Sequence, residues 1–307
     1  MRRSEQEQTL QGLSTVVVRY GAIVAEQGSG ALVPWWSVTK TVIAAAALVL
    51  VNEGRLHLDR LLPGQPFTLR QLLQHRAGLC DYGQLPEYHA AVARGDAPWS
   101  PDDMLLRSDA ARLRYPPGEG WCYSNIGYFL AVRAMEAATD QSLESVLQSR
   151  VLHPLEIDQV RVAREVADLA GAAMGKAEGY DPGWVYHGLL VGPLRQAPLL
   201  LDRLLTGGLL PAALRDELLT GHPVEGDQGE RPWSRPAYGL GVMIDRGRPD
   251  HPVGHTGGGP GSAIAVYRTE ANGTGTSIAA FGLEASAADV ERYAMAARDP
   301  RVGGDLH

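Results

Sequence analysis

The sequence predicts an α+β fold: an antiparallel sheet flanked by helices, interrupted by an all-helical insertion. Three observations predict it. Two short β-like runs open the chain, Ser14 to Tyr20 and Ala22 to Gln27, split by Gly21. The middle, from about 56 to 158, carries helical signals and no convincing strand. Strand-like runs return at Tyr238 to Asp245, Ser262 to Arg268 and Thr276 to Phe281, each set between turn residues. Early and late strands are expected to share one sheet. That divides the chain into a mixed α/β part, residues 1–56 and 160–307, and an all-helical part, residues 57–159, with the site between them.

Each element has a local reason. Residues 1–12 are polar enough for a short surface helix. Thr41 to Val51 (TVIAAAALVLV) is apolar almost all round and reads as a buried helix. Thr68 to Arg76 opens with a Thr cap and spaces its leucines helically. Pro86 to Arg94, Pro101 to Arg112, Ile126 to Ala138 and Ser142 to Val151 are further helices, with Pro63, Gly83, Pro98, Pro116 and Pro117 among the breakers between helical segments. Val160 to Val162 suits a short strand, and Leu194 to Thr206 and Pro211 to Thr220 suit helices. Residues 222–236 read as an exposed loop, and Ala285 to Arg298 as a closing helix.

Bulk properties narrow the function. The 307 residues are 45% hydrophobic, ample for a sizeable core. A net charge of −7 without a basic block argues against nucleic acid as a partner. No apolar run reaches the ~20 residues that span a membrane. The start, Met1-Arg2-Arg3-Ser4-Glu5-Gln6, lacks the apolar centre of a signal peptide. A cytoplasmic protein is expected if Met1 is the natural start, a periplasmic or secreted one if a leader was removed. Cys80 and Cys122 are too few for a disulfide scaffold and read as reduced thiols. His251 and His255 are four apart, but Pro252 and Gly254 oppose a helix there and no further ligands complete a metal site. No metal or cofactor is expected.

The chemistry is concentrated in three clusters. Of 28 basic side chains only two are lysines, and one of them, Lys40, follows Ser37 by three positions. Arginine stays protonated, whereas a lysine in a dry pocket can lose its proton and act as a base. A serine at the amino end of a buried helix, one turn before such a lysine, is the layout of a nucleophile beside its base. The bland alternative makes Ser37 an N-cap and Lys40 a solvated first-turn residue. The second cluster is Tyr123-Ser124-Asn125, at a loop–helix junction after two prolines and two glycines. A phenol beside an ammonium is pushed towards phenolate and can take a serine proton, and an Asn amide can hold both a lysine and a substrate carbonyl. The third is His255-Thr256-Gly257-Gly258-Gly259, just before a predicted strand. Glycines on an edge strand let another backbone approach, and an N–H there, with that of Ser37, can form an oxyanion hole.

Ser-x-x-Lys, Tyr-Ser-Asn and His-Thr-Gly, in this order and spacing, resemble the class C β-lactamase-like serine hydrolases, which include β-lactamases, DD-peptidases, D-aminopeptidases and esterases of one fold. Leu72-Leu73-Gln74-His75-Arg76-Ala77-Gly78-Leu79, Pro117-Gly118 and Tyr238-Gly239-Leu240-Gly241 also fit. The resemblance runs from about Ser14 to about Arg298. It implies that Ser37 forms an acyl-enzyme, that Lys40 and Tyr123 move its proton, and that Asn125, His255, Thr256 and Gly257 orient the substrate. The N–H groups of Ser37 and Gly258 would then form the oxyanion hole. His255 stands where many lactamases have lysine, and Arg76-Ala77 where the family often has Thr-Ser. The missing permanent charge shifts the expectation from a lactam towards an ester or a D-amino-acid peptide. Trp35-Trp36 is read as core packing ahead of an acyl-pocket wall. Two other readings stand beside hydrolysis: a transacylase using the same residues, and a catalytically weak protein that binds a peptide or cell-wall fragment.

Overall fold

A computed structural model describes residues 12–226 and 228–296; all but Gly12 of the helix expected over residues 1–12, and the last residues of the closing helix, lie outside them. The chain opens with β1 (Ser14–Arg19), β2 (Ala22–Gln27) and β3 (Leu32–Pro34), then a 3-10 turn over Trp36–Val38 that runs into α1 (Thr39–Asn52). Helices follow: α2 (Leu69–Leu73), α3 (Pro86–Arg94), α4 (Pro101–Arg107), α5 (Asn125–Thr139) and α6 (Leu143–Leu147), the last continuing as a π-helical turn. Next come β4 (Arg161–Ala163), β5 (Leu189–Pro193), α7 (Gln196–Thr206) and α8 (Ala212–Leu219). The chain returns through β6 (His222–Pro223), β7 (Pro236–Tyr238), β8 (Met243–Asp245), β9 (Val253–Gly259), β10 (Ser262–Ala271), β11 (Thr274–Leu283) and α9 (Ala287–Ala296).

The early and late strands form one antiparallel eight-stranded sheet, ordered β2-β1-β11-β10-β9-β8-β7-β6. Period-two alternation covers both its faces. Val16, Val18, Ile264, Val266, Ala279 and Phe281 join the core that holds α1 and α7. Val17, Ala263, Ala265, Tyr267, Ile278 and Ala280 pack with Val290 and Ala294 of α9 on the other side. A second antiparallel sheet, β3-β5-β4, was not expected from the sequence. Its strand β4 matches the short strand expected at Val160 to Val162, but β3 and β5, three and five residues long, are too short for a pattern to show.

Three other expectations are corrected. The run Tyr238 to Asp245 is not one strand: Gly239 N donates to Val242 O at 2.8 Å and Gly241 adopts φ +73°, which folds the run into the β7–β8 turn. The helix from Pro101 ends at Arg107, where Ser108 bonds back to Met104 O and Asp109 takes φ +50°. The third cluster is itself strand β9 rather than a turn before one, and β9 is an interior strand. Its pairing with β8 stops at Gly254, however, so residues 255–259 keep one side free of β8.

α1 is the floor of the site. From Thr39 to Ala47 every residue is buried, as is Leu48, so the helix is held by packing on all sides. It ends at Glu53, with Gly54 at φ +72° and Arg55 N donating to Leu50 O at 2.9 Å. The β7–β8 turn locks its first turn, since Thr41 Oγ1 donates to Gly241 O at 2.7 Å.

Candidate active site

Ser37 sits in the 3-10 turn that leads into α1. Its side chain does not cap the helix. Lys40 Nζ donates to Ser37 Oγ at 3.1 Å, and Tyr123 Oη donates to the same oxygen at 2.9 Å. The first and second clusters therefore meet on one atom. Lys40 is 0% exposed, which rules out a solvated first-turn residue. Burial lowers its pKa to about 7, opposed in part by the charge of Asp81.

Tyr123 behaves opposite to expectation. Its neighbour's charge was expected to pull it towards phenolate, but burial pushes it up, and its hydrogen bond to Ser37 only partly offsets that. Desolvation outweighs local attraction for a fully enclosed phenol, so Tyr123 stays protonated. Its ring packs on His75, centroids 4.2 Å apart.

The backbone reason for the second cluster is a helix start. Ser124 caps α5, accepting from Gly127 N at 3.1 Å, so its two neighbours flank a capping residue and are aimed by it. Asn125 Oδ1 accepts from Lys40 Nζ at 2.7 Å.

The third cluster owes its glycines to packing on alternate faces of β9. A Cβ on Gly257 would lie 2.7 Å from Ser37 N, and one on Gly259 2.5 Å from the Trp36 ring. Gly258 points the other way, where nothing lies within 4 Å of such an atom, and it lines a cavity of about 480 Å³ with Ser37, Tyr123, His255 and Thr256. The turn that bears Ser37 is thus seated on a strand that lacks side chains where it docks. Trp36 carries φ +41°, a strained value for a bulky residue. It is held there by Trp36 Nε1 donating to Ser262 Oγ at 3.0 Å and by an edge contact with Tyr180. Trp35 and Trp36 are both core residues.

His255 and Thr256 are tied to the protein. His255 is 1% exposed, its Nε2 is 2.8 Å from Tyr238 Oη and its Nδ1 is 2.7 Å from Thr256 O. Burial, helped by the charge of Lys40, lowers its pKa to about 3, so it is a neutral imidazole. Thr256 Oγ1 donates to Glu291 and lies 2.8 Å from Tyr267 Oη. The rest of the cavity wall is largely apolar and aromatic: Trp121, Trp233, Tyr238 and Met243. Its guanidinium, Arg231, is paired with the fully buried carboxylate of Glu291, which also accepts from Trp233 Nε1 at 3.2 Å.

Four further participants had no signal in the sequence motifs. Asp81 receives the Asn125 backbone N–H at 3.0 Å. His187, which precedes β5, places Nε2 2.9 Å from Lys40 Nζ. Arg231 comes from the predicted exposed loop, and Glu291 from the closing helix. Cys80 is a buried free thiol bonded to Ser108 O, and Cys122 is a half-buried free thiol; neither lines this cavity. Among the described residues, no group of three or more His, Cys, Asp or Glu side chains is arranged to hold a metal, and no helix is long and apolar enough to cross a membrane.

Comparison with known proteins places these features in a family. The family model described as Beta-lactamase matches residues 1–299. Penicillin-binding protein 4* of Bacillus subtilis (strain 168) is 30% identical over 138 residues, 41% of this chain and 29% of that protein. Esterase EstB of Burkholderia gladioli is 30% identical over 183 residues, 48% of this chain and 46% of that protein. The matches thus span less than half the length of either relative. A D-stereospecific amidohydrolase from Streptomyces sp. superposes with a TM-score of 0.75 at 24% identity, covering 96% of this chain and 99% of that one, a likeness of fold.

Proposed function

The chain belongs to the beta-lactamase family, and on that premise we propose that it is a serine hydrolase that cleaves an ester or amide through an acyl-enzyme on Ser37. One observation carries the reading: Lys40 Nζ and Tyr123 Oη both bond to Ser37 Oγ, at 3.1 and 2.9 Å. With its pKa near 7, Lys40 is half unprotonated near neutrality and takes the serine proton, while Tyr123 stays a phenol. Ser37 Oγ attacks the substrate carbonyl, and the N–H groups of Ser37 and Gly258 receive the developing oxyanion. Collapse expels the alcohol or amine, which takes a proton passed from Lys40 by way of Tyr123. Water then attacks the acyl group by the same route, releasing the acid and free Ser37.

The substrate reading follows from the cavity. The cation lining it, Arg231, is held by Glu291, and the imidazole of His255 is neutral. An acyl group without a free carboxylate suits such a wall, and Trp121, Trp233 and Met243 favour an apolar or aromatic one. Esters and D-amino-acid amides rank above lactams, which bring a carboxylate. An esterase is among the relatives by sequence and a D-stereospecific amidohydrolase among the structures of like fold. We place the cleft between the strand-bearing part and the helical part of the chain, residues 57–159.

A fluorophosphonate probe tests the reading. Intact mass and peptide mapping are expected to find a single adduct on Ser37, absent in Ser37→Ala. A folded wild-type protein that takes no adduct and hydrolyses no aryl ester, D-amino-acid amide or cephalosporin would point instead to the binding-protein alternative. Product analysis with added alcohols or amines separates hydrolysis from transacylation.

A further inference from the structure

We propose that His187 is a positioning residue for Lys40: its neutral imidazole accepts, through Nε2, the third N–H of the ammonium formed when Ser37 gives up its proton. The inference rests on the proton transfer read above from Ser37 to Lys40.

Lys40 Nζ has three polar partners: Ser37 Oγ at 3.1 Å, Asn125 Oδ1 at 2.7 Å and His187 Nε2 at 2.9 Å. An ammonium has three N–H donors and no acceptor, so it is fully satisfied only if His187 Nε2 accepts. A neutral amine has two N–H donors and one lone pair. Asn125 Oδ1 can only accept, which uses one N–H. If His187 Nε2 accepts the second, the lone pair is left facing the Ser37 hydroxyl, the productive arrangement. If His187 donated instead, it would occupy that lone pair and block the transfer. One tautomer of His187, protonated on Nδ1, therefore serves both ends of the step.

The surroundings fit this role. His187 is 2% exposed, and its Nδ1 is buried with no hydrogen-bond partner among the described residues. In the proposed tautomer that atom is an unpaired N–H donor, a cost that the acceptor then offered to Lys40 by Nε2 has to offset. The imidazole is fixed by the fold: Leu190 N, on the strand that follows it, donates to Thr39 Oγ1 at 3.1 Å, and Leu190 O accepts from Trp35 N at 2.8 Å. The segment bearing His187 is thus docked on the nucleophile turn itself. The groups that bear on the pair are the carboxylate of Asp81, the neutral imidazoles of His75 and His255, and the phenols of Tyr123 and Tyr128, whose rings lie 5.1 and 5.4 Å from Lys40 Nζ. Burial, with the charge of Lys40, holds His187 well below the ordinary histidine range, so it meets Lys40 uncharged.

The test is the pH dependence of fluorophosphonate labelling of Ser37 in the full chain, for wild type, His187→Leu, His187→Met and His187→Gln. Losing the acceptor destabilises the ammonium more than the amine. In the Leu variant the acid limb is expected to move down by about one to two pH units, and the plateau rate to fall about tenfold to a hundredfold. Gln, which retains an acceptor, is expected to restore much of both. Met, which adapts to irregular space, repeats the Leu test if Leu does not fold. An unmoved limb in the Leu and Met variants overturns the proposal, as does an upward shift, which would mean that the imidazole carries charge. Equal losses in Leu, Met and Gln would make His187 a space-filling residue and also overturn it. Absence of labelling in wild type would instead sink the serine reading, which keeps the two failures apart.

Discussion

Asp81 decides which way Asn125 faces. Its Oδ1 accepts the Asn125 backbone N–H at 3.0 Å and its Oδ2 accepts from Asn125 Nδ2 at 3.3 Å. A carboxylate can only accept, so the amide must turn its N–H₂ to Asp81 and its oxygen to Lys40, 2.7 Å away. Asp81 thereby supplies Lys40 with an acceptor that it does not touch itself. Its charge also favours the ammonium across the site.

Asp81→Asn should therefore act at a distance. The new amide places a donor where Asn125 Nδ2 already donates, or else turns its own oxygen away from the backbone N–H. Either disturbance loosens the acceptor for Lys40, and the lost charge lowers the lysine pKa further. Labelling of Ser37 is expected to slow by about tenfold to a hundredfold, with the acid limb displaced to lower pH. A limb that does not move would show that Asp81 does not act on Lys40.

The lysine shift sets the pH behaviour of the whole site. Lys40 has a folded-state pKa of about 7 against an ordinary 10.5. Its base form appears as pH rises through about 7, so labelling and turnover should rise through that region. Lys40→Arg, a permanent cation, should lose about 10²- to 10⁴-fold at every pH. Stability follows the same sign. Between about 7 and 10.5 the unfolded chain holds a proton that the native chain has released, so stability from this group grows with pH. The burial penalty is absent above 10.5 and fully present below 7. Urea unfolding of wild type against Lys40→Met should show a difference favouring the Met variant at pH 7 that narrows towards pH 10.

The ordered motifs made Ser37, Lys40 and Tyr123 legible because serine, lysine and tyrosine carry their chemistry in the side chain and their spacing survives in the chain. Asn125 was legible for the same reason. His187 and Asp81 were not, since each reaches the site through tertiary contact, 147 and 44 residues from the group it serves. The protonation of the phenol is hidden for a related reason: a sequence shows that Lys40 and Tyr123 can be neighbours, but not how completely they are buried. Long apolar elements such as α1 and the strands β1, β10 and β11 could be read from their pattern alone, and β4 close to its place at Val160 to Val162, whereas β3, three residues long, has no period to read.

Tyr123→Phe isolates one hydrogen bond. The ring contacts with His75 at 4.2 Å and with the Lys40 ammonium at 5.1 Å are kept, and only the donor to Ser37 Oγ is lost. Stability should change by less than about 1.5 kcal/mol. Turnover should fall about 10²- to 10⁴-fold, because in the proposed mechanism the phenol returns a proton to the leaving group. Paired measurement of kcat and the denaturation midpoint checks this; a large loss of both would make Tyr123 a packing residue.

The glycine run on β9 yields a contrast between neighbours. Gly257 faces the turn that bears Ser37, and a Cβ there would lie 2.7 Å from both Ser37 N and Trp36 Cβ and 2.9 Å from Trp35 O. Those atoms are backbone or rigidly held, so the turn itself must shift. Overpacking of this kind costs about 1 to 3 kcal/mol, and displacing Ser37 by even a fraction of an ångström separates it from Lys40 and Tyr123. Gly258, one residue on, faces the cavity, where nothing lies within 4 Å of the added atom, and its φ is not positive. Gly258→Ala should unfold within about 0.5 kcal/mol of wild type and change activity chiefly through KM, as the methyl meets substrate. Gly257→Ala should lose stability and Ser37 labelling together. Thermal unfolding and labelling rates of the two variants decide it: equal stability in both would mean that the turn does not rest on Gly257, and the account of why this strand lacks side chains would fall with it.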